Sequence, residues 1–163
     1  MRVTIDKRMD GSVVLKFTRK DGSEDWQKQH GPTAAFFPLH DLTHYSVETE
    51  LGIARAFYGL VASGWSIEDT TGKGTRGPIP DDALFVESVV GTLDTERASG
   101  SRWTAEEFNE NTARQMAKGG RAALRLLTDD DLSRIRKRRA ELFSAWQELA
   151  PGRTLELNFP DPV

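Results

Sequence analysis

His40 and His44 stand four residues apart, and Glu48 follows four residues further on. On a helix, this spacing sets the two imidazoles about 40° apart around the axis and one turn apart along it, so both can reach one point. Two imidazoles and a carboxylate make an open ligand set for a divalent ion such as zinc, with a position left for water. The expected metal ligands are His40, His44 and Glu48, with His30 in the preceding loop as an alternative third ligand. Glu48 is also the candidate general base. Asp41 is the second candidate catalytic-site residue, orienting an imidazole from behind.

The run His40-Asp41-Leu42-Thr43-His44 has the histidine spacing of the His-Glu-x-x-His zinc motif, with Asp where that motif holds Glu. In the motif, Glu is the base that activates the metal's water, and Asp is one methylene shorter. The spacing therefore points to a small metal-dependent enzyme of hydrolase type and does not carry protease activity with it. The competing reading is an interaction module without activity, in which the histidines pack at the edge of the core and bond locally.

Other chemistries are narrowed by what is missing. The chain has no cysteine, which excludes disulfides and thiolate ligands. It has no Gly-x-Ser-x-Gly elbow and no Gly-x-Gly-x-x-Gly turn. Gly72-Lys73-Gly74-Thr75-Arg76-Gly77 fails the phosphate-loop pattern, because Ile67 stands where Gly is required and Gly74 where Ser or Thr is. A weaker version survives, in which Lys73 and Arg76 meet an anionic small-molecule ligand over the histidines.

Residues 134–139 hold five basic side chains in six positions. The same helix carries Asp129, Asp130, Asp131, Glu141 and Glu148, and the net charge of −3 disfavours a nucleic-acid partner. Nucleic-acid binding through this run is the third functional reading. Glu50 falls within the apolar stripe of the histidine helix, so its carboxylate needs a partner or a ligand. Arg139, inside the apolar stripe of the last helix, either pairs with it or snorkels outward. In the functional reading Glu50 is a ligand-binding residue that points at the same cavity as the histidines.

The elements that must position these residues are legible from periodicity. Alternating residues around Val3–Ile5, Val13–Phe17 and Trp26, with turns at Asp10-Gly11 and Asp21-Gly22, predict an antiparallel meander. A long central helix is expected from Pro38 to Ser63, with Pro38 in its first turn. A flexible Gly/Pro-rich loop is expected over 66–80. A second helix starts near Asp81, with Phe85, Val86, Val89, Val90 and Leu93 on one face and Glu87 and Asp94 opposite. Thr104 and Thr128 open two further helices, and Thr154–Phe159 closes the sheet.

The expectation is a single α+β domain over 1–163: a three-strand meander plus a C-terminal strand, packed on about four helices. An N-terminus without a secretory-signal pattern and the absence of a long apolar run predict a cytoplasmic protein with no membrane partner. A small-molecule ligand and a homo-oligomer are the partners left open.

Overall fold

Two Asp-Gly pairs set the first three strands. Gly11 and Gly22 take φ of 80° and 83°, a region that favours glycine. Asp10 and Asp21 accept hydrogen bonds from the amides of Ser12 and Ser23 at 3.0 and 2.9 Å. A computed structural model describes residues 1–161 of the chain. Strands β1 (Arg2–Lys7), β2 (Val13–Thr18) and β3 (Glu24–Gln29) form the meander, and β4 (Arg153–Asn158) pairs antiparallel with the free side of β1. The sheet order is β3-β2-β1-β4. The register sets Val3 opposite Phe17 and Leu157, and Ile5 opposite Leu15, which lines one face with apolar side chains for the helices to cover.

Four helices of 14 to 20 residues supply the other layer: α1 (Pro32–Leu51), α4 (Asp81–Ser99), α5 (Ala105–Lys118) and α6 (Asp129–Glu148). Two shorter ones, α2 (Phe57–Ala62) and α3 (Ile67–Thr70), lie between α1 and α4. The architecture is the expected α+β arrangement. Thr104 and Thr128 cap α5 and α6 through capping boxes with Glu107 and Asp131. Among the described residues, no helix is long and apolar enough to cross a membrane.

The expected Pro38–Ser63 helix is corrected at both ends. Pro32 occupies the first turn of α1, and Pro38 lies inside the helix. At the other end Gly52 adopts φ 64°, and the amide of Ile53 donates to Glu48 O at 2.9 Å, which closes α1. The chain re-enters a helix at Phe57. Gly59 lets that second helix sit on the Ala54 backbone, since a Cβ there would come within 2.2 Å of Ala54 O.

The helix-side core has two parts. One joins the sheet to α1, α2 and the end of α6 through residues such as Phe17, Leu42, Tyr58 and Trp146. The other joins α1 to α4, α5 and the start of α6 through Val47, Val89, Phe108 and Ile135. Helix α1 belongs to both, which makes it central as expected.

Candidate metal centre

Helix α1 turns His40 and His44 toward α4. Their rings meet edge to face with centroids 4.9 Å apart, Phe36 stacks on His40, and Phe57 meets His44 edge to face. The apolar contacts fix the ring planes and leave the nitrogens to polar partners. His44 is buried and His40 half-buried.

The partners come from α4. Glu87 and Asp94 are seven residues apart, two helical turns, so they share one face. That face, expected to lie away from the packed side of α4, abuts the histidines. Glu87 lies 3.0 Å from His44 Nε2 through one carboxylate oxygen and 3.8 Å from His40 Nε2 through the other. His40 Nδ1, with the proton on that nitrogen, donates to Asp94 Oδ2 at 3.2 Å. His40, His44 and Glu87 each offer a ligand atom within 4.8 Å of the others. A tetrahedral zinc set with bonds of about 2.1 Å holds its donors roughly 3.4 Å apart.

Glu48 is directed elsewhere. Its carboxylate accepts from the amides of Tyr58 and Gly59 at 3.2 and 3.1 Å, in the first turn of α2. The N-cap residue of that helix, Ala56, offers no side-chain acceptor, so Glu48 takes that role across the α1–α2 break. One of its oxygens also lies 3.7 Å from His44 Nδ1, close enough for charge attraction and too long for a hydrogen bond. His44 Nδ1 is buried with no hydrogen-bond partner among the described residues, as is Asp94 Oδ1.

The electrostatics follow from this crowding. Burial alone would lower the pKa of His44, but contact with Glu48 and Glu87 outweighs it and carries the ring up to about 10. The same contact with His44 holds Glu87 below the usual carboxylate range, against its desolvation. Burial pushes Glu48 up. Burial also pushes Asp41 up to about 6, with the nearby histidines resisting and Glu87 adding to the rise.

Asp41 is buried and, together with His40, His44 and Glu87, lines a cavity of about 330 Å³. Phe37, Phe57, Leu60, Ile67, Ile79 and Leu84 make most of the remaining wall. The segment 66–80 contributes to that wall through α3 and Ile79, but Lys73 and Arg76 do not line it. Arg76 donates to Gly64 O at 2.8 Å, and the carboxylate of Asp69 accepts from the amides of Thr75 and Arg76 at 2.9 and 3.3 Å.

The other expected partners separate. His30 is exposed and does not belong to the histidine–carboxylate group. Glu50 pairs with Arg134, which donates to its carbonyl at 2.7 Å and lies 3.3 Å from its carboxylate. Arg139 is buried and donates to Leu93 O at 3.1 Å, so the expected Glu50–Arg139 pair does not form. In the basic run, Arg134 also pairs with Asp130 and Asp131, Arg136 with Glu96, and Arg138 with Glu141.

Glu87 and Asp94 were missed because nothing local distinguishes them from ordinary acids on a helix surface. Their two-turn spacing on one face was the available signal, and it gains meaning only once α4 is known to pack on α1. Comparison with protein-family models, curated proteins and solved structures found no match to the chain.

Proposed function

We propose that the protein is a divalent-metal-dependent hydrolase with His40 Nε2, His44 Nε2 and Glu87 as its ligands. The observation that carries this reading is the convergence of both Nε2 atoms on Glu87 beside a cavity, with a carboxylate behind each Nδ1. Asp94 stands behind His40 and Glu48 behind His44, the arrangement that orients a metal-bound imidazole. Two histidines and one carboxylate leave a coordination position for water. A divalent ion there supplies a Lewis acid that acidifies water and polarises a carbonyl.

Asp41 supplies the base. It lines the same cavity as the ligands, and its carboxylate takes a proton from the attacking water. As the water oxygen bonds to the carbonyl carbon, its proton passes to Asp41. The proton then goes to the leaving amine or alcohol as the C–N or C–O bond breaks. One water is consumed, and an acid plus an amine or alcohol results.

A second reading rests on the same contacts: a partly buried ion cluster without metal, in which protonated His44 bridges buried Glu48 and exposed Glu87. Elemental analysis of untagged protein separates the two. About one equivalent of zinc or a similar ion is expected, absent from the His40→Ala/His44→Ala double variant. Asp41→Asn should keep the ion and lose hydrolysis. Metal-free protein whose thermal stability does not respond to added zinc would leave only the ion cluster.

A further inference from the structure

The cavity wall carries information about what enters it. Its volume of about 330 Å³ sits at the small end of the roughly 300–1,000 Å³ typical of ligand sites. Among the described residues the lining includes no lysine or arginine, and its titratable members are His40, Asp41, His44 and Glu87. The one cation of the wall, His44, is already engaged by Glu48 and Glu87, so a phosphate or carboxylate on the ligand would meet two acids with no free side-chain cation from the wall to receive it. The nearby Arg76 is tied to Gly64 O, away from the lining.

The apolar wall is composite. Phe37 comes from α1, Phe57 and Leu60 from α2, Ile67 from α3, and Leu84 from α4. Four elements thus enclose one apolar chamber next to the histidines, enough to desolvate a branched aliphatic or aromatic group.

Besides the histidines and the two acids, three polar residues belong to this wall: Gln27, Thr70 and Thr71. The two threonine hydroxyls are already committed, donating to Ile67 O and Glu68 O at 2.7 Å each. Gln27 sits on β3 with its backbone in register opposite Leu15. Its side-chain amide brings both donors and an acceptor to the cavity without bringing charge.

We infer that the cavity binds a small uncharged amide or ester with an aromatic or branched aliphatic body, whose polar group pairs with Gln27. The nature of the bond cleaved rests on the hydrolase reading above; the choice of ligand body rests on the cavity alone. Gln27 is then a specificity-determining residue of the cavity wall.

Matched probes test this in zinc-free protein, so that coordination of a carboxylate to the ion plays no part. N-acetylphenylalaninamide and N-acetylphenylalanine share one body and differ by one charge. In amide-resolved NMR titrations, the uncharged probe is expected to shift Thr70 and Leu84 and to bind at least tenfold more tightly than the acid. Gln27→Leu should weaken the uncharged probe several-fold. Thr71→Lys, at an exposed position that does not endanger folding, should narrow or reverse the preference.

Equal or tighter binding of the acid, or no shift at the lining residues with either probe, overturns the inference. Zinc uptake is scored in a separate titration. Charge discrimination without zinc uptake rejects the metal reading and leaves the ligand class standing. Zinc uptake without discrimination does the reverse.

Discussion

Helix α4 carries two acidic junctions, and they are built in opposite ways. Toward α6, Glu96 receives Arg136 through both carboxylate oxygens and the amide of Trp103 at 2.9 Å, and Arg136 donates onward to Trp103 O at 2.8 Å. The side chains are only 4% and 11% exposed, and both sit in a closed set of charge-assisted bonds. Toward α1, Glu87 and Asp94 meet two histidines beside a cavity, and His44 Nδ1 and Asp94 Oδ1 have no hydrogen-bond partner among the described residues. Arg97, the cation facing Asp94 Oδ1, is 4.0 Å away.

Buried polar atoms in folded proteins are nearly always satisfied, because each orphan retains its desolvation cost without a compensating bond. The Glu96 junction obeys that rule and reads as a structural clamp. The histidine junction departs from it at His44 Nδ1 and Asp94 Oδ1, both on the side of the imidazoles turned away from Glu87. It differs from the clamp again in the cavity that His40, His44 and Glu87 line.

The largest effect should come from breaking the closed junction. Arg136→Ala leaves Glu96 buried without its cation and is expected to cost about 3–5 kcal/mol of folding stability. Zinc bound per folded molecule should not change. Urea denaturation with metal analysis reads both, and a loss of zinc at retained fold would merge the two junctions into one network.

A smaller effect is expected behind the open junction. Asp94→Asn keeps an acceptor for His40 Nδ1 and removes the charge, so zinc affinity should fall roughly 10–100-fold. Competition against a chelator measures it, and an unchanged affinity would remove Asp94 from the site.

The least abrupt test is pH. In metal-free protein His44 is held charged up to about 10 by Glu48 and Glu87, against about 6.5 in an unfolded chain. Its contribution to stability is complete below pH ~6.5 and is lost as pH rises toward ~10. Saturating zinc should remove that decline, because the ion replaces the proton on the ring. Denaturation midpoints that stay flat over this range without zinc would show that His44 is not held charged.

Periodicity made much of the scaffold legible. The Asp-Gly turns fixed the meander, the alternation around Leu155 identified the closing strand, and capping boxes marked α5 and α6. Helix boundaries were less accessible. The apolar pattern continues past Gly52, and the turn there depends on the packing of α2 against Ala54 as much as on glycine itself. Glu50 illustrates the same limit: its place on the wheel identified the need for a partner, while the crossing of α1 and α6 selected Arg134 over Arg139.

What the sequence determined by itself is local: an α+β chain and two histidines on one helix face, because i, i+4 spacing is a property of the helix. What tertiary structure decided is which carboxylate stands at their shared point. The break at Gly52 brings the first turn of α2 to Glu48, whose charge is engaged by two backbone amides. Helix packing brings Glu87, 43 residues beyond His44 in the chain, to both Nε2 atoms. No repeat period links residues at that separation; only the burial of the α1 and α4 apolar faces against each other does.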